Sequence, residues 1–146
     1  EMLGSMMAYL FIAAVLIGFD EFPVPQNIGL FIAGWFVYVM VTFSICLVIA
    51  PLSEMSEVME KFIPVTTYIM IPFSGAFTMA SWLTPSVRGY LLWSPFVNGM
   101  EMMRKGLWGS AVTAYYSIWW PIAFSMVLTV IGLALCRRVR QTLTVE

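Results

Sequence analysis

Four lengths of this chain contain no Asp, Glu, Lys or Arg: residues 2–19, 22–53, 62–87 and 106–136. Uncharged, mostly apolar stretches of about 18 residues or more are long enough to cross a bilayer as helices. Composition agrees, with 61% apolar residues and only seven basic and eight acidic side chains among 146. A water-soluble domain has about a quarter of its residues charged, so too little polar side chain is present to cover a wetted surface. The chain reads as an all-α membrane protein with a single transmembrane domain over residues 1–146.

Several function classes fall away on the same grounds. Net charge is −1 and no basic run could follow a phosphate backbone, which excludes nucleic acid as a partner. The absence of His removes His-based catalytic and metal sites, and Cys46 and Cys136 are too few and too far apart for a zinc site. No phosphate-binding GxxxxGK[ST] run occurs. No cofactor is expected. Nor does any ionisable side chain fall inside the main spans, whereas ion-coupled transporters and proton relays need one there. Work done by such a protein has to be powered from outside it.

The expected spans are about 3–19, 28–52, 62–81 and 116–136. The first is closed by Asp20, Glu21, Pro23 and Pro25, residues that stop a helix in a tight loop. The third contains Pro64 and Pro72 with Gly75 close behind. A proline there frees a backbone carbonyl that other protein must satisfy, which predicts a kink. Residues 82–105 carry Arg88, Glu101, Arg104 and Lys105 and do not read as a span. Thr84-Pro85 and Ser94-Pro95 look like helix starts with proline in the first turn. Two half-length helices follow, about 85–93 and 95–105, forming a re-entrant or interfacial hairpin on the outer side. The Arg137, Arg138 and Arg140 cluster puts the C-terminus in the cytoplasm by the positive-inside rule. Glu1, followed at once by apolar residues, reads as a cut into a longer chain.

Three groups of residues are candidates for function. Glu54, Glu57 and Glu60 share one face of a helix at 100° per residue, beside Lys61, and an acidic face next to an anionic leaflet suits a protein partner. In the hairpin, Glu101 precedes Arg104 by three and Lys105 by four residues, spacings that pair charges on a helix. Five of the six tryptophans fall between 82 and 120, where an interfacial belt is the plain explanation. Trp82 and Trp93 could alternatively offer ring faces to sugars. Small-residue pairs at Gly4/Ala8, Ala14/Gly18 and Gly29/Ala33 fit close helix contact.

The run from Tyr68 through Pro72, Ser74, Gly75 and Met79, then Trp82 and Pro85, then Ser94, Pro95, Asn98, Glu101, Arg104 and Gly106 resembles the transmembrane subunit of bacterial capsular polysaccharide ABC exporters. The Pro95…Glu101-x-x-Arg104 spacing is shared with the wider permease superfamily, and the proline–serine–glycine kink before Trp82 narrows it. The resemblance implies spans three to six of six, with the first two spans missing. It implies a second copy of the chain, two ABC ATPase subunits, a lipid-linked polysaccharide as cargo and the inner membrane as location. Glu54, Glu57, Glu60 and Lys61 would couple to the ATPase, while Pro85, Arg88, Pro95, Asn98, Glu101 and Arg104 would form the gate. Where the family often has His on this helix, Asn98 leaves a hydrogen-bonding group. The alternatives are an O-antigen, teichoic acid or lipophilic-drug permease, or a membrane scaffold that transports nothing.

Overall fold

The computed structural model describes residues 25–143 together with Met7, Ala8, Phe11, Ile12, Val15 and Gly18. Apart from those isolated positions, the expected span 3–19 lies outside the described residues, as do Gly4 and Ala14 of the small-residue pairs. Within residues 25–143 five α-helices follow in order: α1 (Ile28–Met55), α2 (Glu57–Met70), α3 (Pro85–Leu92), α4 (Pro95–Trp108) and α5 (Trp119–Leu143). Short 3₁₀ turns at Pro72–Ser74, Ala80–Trp82 and Gly109–Ala111 interrupt the connections.

Two of these helices are long and apolar enough to cross a membrane, Ile28–Met55 and Trp119–Gln141. Only 17% of the most apolar stretch of each is buried inside the protein, so neither behaves as the core helix of a water-soluble fold. Phe36, Phe43, Met126 and Val130 lie exposed along them, which is costly in water and neutral in lipid. Their length and exposed apolar surface fit helices that sit in a membrane.

The expectation of four spans plus a hairpin is therefore corrected. Residues 62–81 do not make one long helix. α2 has 14 residues, or about 21 Å, and stops before Pro72. Gly75 then takes the left-handed conformation, φ 78° and ψ 6°, and the backbone stays irregular to Thr84. Pro72 lacks the N–H that would continue the helix, and Gly75 supplies the reversal that other residues resist. Residues 82–105 do not form a separate two-armed hairpin either. α4 runs on to Trp108 and buries Val97, Asn98, Gly99, Glu101 and Met102, whereas α3 buries nothing. α5 begins at Trp119 rather than 116, and the connection before it is held at Val112, Tyr115 and Ser117 by side chains of α4.

Glycine decides how the helices meet. A Cβ on Gly106 would lie 2.4 Å from the Phe31 nitrogen, and one on Gly34 would lie 2.7 Å from the Met103 nitrogen. Gly99 faces Tyr38 in the same way. α4 thus lies antiparallel against the first part of α1 with backbones almost touching, the close approach that small residues permit in membranes. Asn27 starts α1: its Oδ1 accepts the Leu30 N–H at 3.1 Å, and its own N–H donates to the Gly106 carbonyl at 2.9 Å. Gly29 meets only Asn27 Oδ1, so the Gly29/Ala33 pair is not the contact.

α5 covers the second part of α1. Gly132 sits against Leu47, where an added Cβ would be 2.9 Å from backbone atoms. Pro51, inside α1, cannot bond the carbonyl four residues earlier, which belongs to Leu47. The Cys136 thiol donates to that carbonyl at 3.8 Å, a weak bond at the one vacancy the proline creates. At its other end, α5 reaches the junction between α3 and α4: Trp120 Nε1 donates to the carbonyl of Trp93, the residue after α3, at 2.9 Å, and Phe96, in the first turn of α4, contacts Tyr38 of α1. These two ends make α5 parallel to α1. Met55 and the Arg137–Arg140 cluster therefore share one end of the molecule, and α3 and α4 share the other.

Candidate functional site

The polar residues of α4 are stitches that hold irregular backbone. The Glu101 side chain is fully buried and pairs with Arg104 at 3.0 Å. Its Oε1 also accepts the Ala80 N–H at 3.2 Å, and its Oε2 accepts the Tyr115 N–H at 3.4 Å. One carboxylate thus ties the 75–84 segment on one side to the 112–118 segment on the other. Arg104 completes the first tie by donating to the carbonyls of Gly75, Ala76 and Thr78. A buried pair offsets its desolvation only when the remaining donors and acceptors are met, and here the backbone meets them.

Asn98, also fully buried, repeats the scheme one turn earlier. Its Nδ2 donates to the carbonyls of Leu92 and Ser94 at 2.9 and 3.0 Å, and its Oδ1 accepts the Ser117 N–H at 2.7 Å. A neutral amide does both jobs at once because it carries donor and acceptor on one plane. Arg88, from α3, donates to Ala80 and Leu83 carbonyls at 2.9 and 3.0 Å and lies 4.0 Å above the Tyr115 ring. Pro85 and Pro95 sit in the first turns of α3 and α4, where a missing N–H costs nothing.

Arg88, Asn98, Glu101, Arg104, Pro85, Pro95 and Gly75 therefore come together in one region. Glu101 takes Arg104 and not Lys105, whose ammonium instead donates to the Val112 carbonyl at 3.1 Å. Glu54, Glu57, Glu60 and Lys61 are exposed at the opposite end. They do not share one helix, because extended Ser56 (φ −160°, ψ 121°) separates Glu54 on α1 from Glu57, Glu60 and Lys61 on α2. Pro64 lies inside α2, and the turn made by Pro72 comes after that helix has ended. Trp82 and Trp93 are 71% and 74% exposed, open to whatever surrounds the protein, with the Trp93 ring 5.6 Å from Trp120. Among the described residues, no group of three His, Cys, Asp or Glu side chains could hold a metal ion.

Over 135 residues the chain is 33% identical to the capsule polysaccharide export inner-membrane protein CtrC of Neisseria meningitidis serogroup B, covering 92% of this chain and 51% of that protein. The chain is homologous to capsule export proteins. CtrC of N. meningitidis serogroup A is 30% identical over 138 residues, and BexB of Haemophilus influenzae 27% identical over 137, each covering 94% of this chain and 52% of the relative. The chain spans about half the length of the curated relatives it matches. No family model and no solved structure matches it.

Proposed function

We propose that this chain forms part of the membrane-spanning subunit of an ATP-driven exporter that moves a capsular polysaccharide across the bacterial inner membrane. The observation that carries this is the match along 92–94% of the chain to proteins named for that export. Two copies would enclose the path, two separate ATPase subunits would drive it, and the cargo would be lipid-linked.

The parallel course of α1 and α5 supports a division of labour. Arg137, Arg138 and Arg140 end α5 at the same side as Glu54, Glu57, Glu60 and Lys61. Positive charge favours the cytoplasm, so the acidic group faces the compartment that holds ATP, and the C-terminus is cytoplasmic. The region around Arg88, Asn98, Glu101 and Arg104 is then the outer gate, with Trp82 and Trp93 as faces for sugar rings. Motion of α2 would reach it through the Pro72–Gly75 turn, whose Gly75 carbonyl Arg104 holds.

Charge reversal tests the coupling role. In the full-length protein, Glu57→Lys is expected to abolish co-purification of the ATPase and to lower surface capsule, with membrane insertion unchanged. Normal capsule in cells carrying this variant removes Glu57 from the coupling contact.

A further inference from the structure

The face of α5 turned away from α1 runs from bare apolar side chains into arginine. Gly132 marks the side that meets α1. At 100° per residue, Met126, Val130, Leu133, Ala134 and Arg137 fall within an arc of about 100° on the other side. Met126, Val130 and Leu133 are 61%, 68% and 52% exposed, and Ala134 and Arg137 are exposed as well. Met126 to Arg137 is about 16 Å along the helix at 1.5 Å per residue, near half of a hydrocarbon core of about 30 Å. The stripe is one leaflet deep and ends in a cation.

An open cavity of about 760 Å³ lies at that end, with Val130, Leu133 and Ala134 on its apolar side and Arg137, Arg138 and Arg140 on its basic side. Arg140 stands in the last turn of α5, where a cation complements the helix C-terminus. Arg137 sits a turn earlier and makes no ion pair among the described residues, although Glu54, Glu57 and Glu60 share its end of the molecule. Its guanidinium presents a planar fork of donors, the shape that grips two oxygens of one phosphate.

Charge and apolar surface together select the occupant. A soluble anion would use the arginine and leave the Val130–Ala134 wall wet. A zwitterionic lipid would cover the wall but bring its own cation against the arginines. A lipid with a net negative headgroup satisfies both parts, and basic pockets beside membrane helices on the cytoplasmic side bind such headgroups.

We propose that the outward face of α5 from Met126 to Arg137 binds an anionic phospholipid of the cytoplasmic leaflet, its chain along Val130 and Leu133 and its phosphate on Arg137. This rests on the membrane orientation proposed above and not on the cargo: the lipid is a resident of the bilayer rather than the exported molecule.

The full-length protein is reconstituted in phosphatidylcholine vesicles with a trace of phosphatidylglycerol or phosphatidylcholine that carries a diazirine on one acyl chain. After irradiation, labelled residues are mapped by peptide mass spectrometry. The phosphatidylglycerol probe is expected to label 126–134 at least fivefold more than the phosphatidylcholine probe. Fivefold is about 1 kcal/mol, the usual worth of one arginine beside an anionic leaflet. Arg137→Gln is expected to bring the two probes within twofold of each other, while Arg137→Lys keeps most of the preference because the charge stays. Labelling by the phosphatidylcholine probe should be equal in all three proteins, which shows that the helix still faces lipid. Equal labelling by both probes in the wild type, or a preference that survives Arg137→Gln, overturns the site. So does a preference lost to inorganic phosphate but kept in chloride of equal ionic strength, because the occupant is then a small anion. Protection of 126–134 in the protein purified with its ATPase makes the face a protein contact and overturns it too. The two readings fail separately. A chain that never co-purifies with an ATPase sinks the exporter and leaves the labelling pattern standing, whereas a flat response to Arg137→Gln sinks only the lipid site.

Discussion

Replacing Gly106 by Ala adds one methyl group at the tightest contact between α4 and α1. The new Cβ would lie 2.4 Å from the Phe31 nitrogen and 2.7 Å from its Cα, against ordinary contacts that begin at 3.4 Å. The obstacle is backbone, which cannot rotate aside, so α4 must withdraw by about 1 Å in a close-packed interface. Overpacking of this kind costs about 1–3 kcal/mol. Withdrawal also stretches the Asn27 N–H bond to the Gly106 carbonyl, 2.9 Å in the native protein, at about 1 kcal/mol. Alanine returns about 1 kcal/mol as the better helix former. The net is a loss of about 2 kcal/mol, near 30-fold in the folding equilibrium. Gly89→Ala in α3 is the control, because a Cβ there meets nothing within 4 Å and only the propensity gain of up to about 1 kcal/mol remains. Equilibrium unfolding of the full-length protein in mixed micelles by SDS, read by tryptophan fluorescence, compares the two. Opposite shifts are expected. If Gly106→Ala is as stable as Gly89→Ala, the helices do not meet as described.

Glu101→Ala strips partners from the Ala80 and Tyr115 N–H groups and from Arg104, and a buried pair broken on one side costs about 3–5 kcal/mol. Because Arg104 keeps three carbonyls, the low end of that range is expected, with faster amide exchange at both 76–84 and 112–118. Protection unchanged in either segment refutes the stitch. Gly75→Ala forces a side chain into the left-handed region with Val97 Cγ2 at 3.2 Å. A loss of about 1–2 kcal/mol is expected, together with reduced capsule at the cell surface. Full stability and full export in that variant would mean the turn is dispensable.

Much of this was legible in the chain itself. The lengths without charge mark α1 and α5 because a backbone in hydrocarbon must bond to itself and cannot carry exposed charge. Proline in the first turn announced α3 and α4 with starts at Pro85 and Pro95. The Glu101-x-x-Arg104 spacing named the pair that forms, but could not choose between Arg104 and Lys105, since both spacings place charges on one helix face. It also could not tell a cargo-facing charge from a buried stitch.

Apolar length alone overestimated what 62–81 could do as a helix, because hydropathy averages over Pro72 and Gly75, which act locally. The same blindness treated Ser56 as one more helical residue between Glu54 and Glu57. The glycines that matter, Gly34, Gly99, Gly106 and Gly132, are no different in sequence from Gly29 or Gly89. What separates them is a partner backbone within reach, and that depends on residues as far off in sequence as Leu47 is from Gly132. So composition and proline placement marked the apolar helices α1 and α5 and the starts of α3 and α4, which are properties each residue contributes on its own. That Cys136 would meet the Leu47 carbonyl left open by Pro51 was decided only when α5 lay down beside α1. A hydrogen bond between distant residues has no signature until the fold has brought its two ends together.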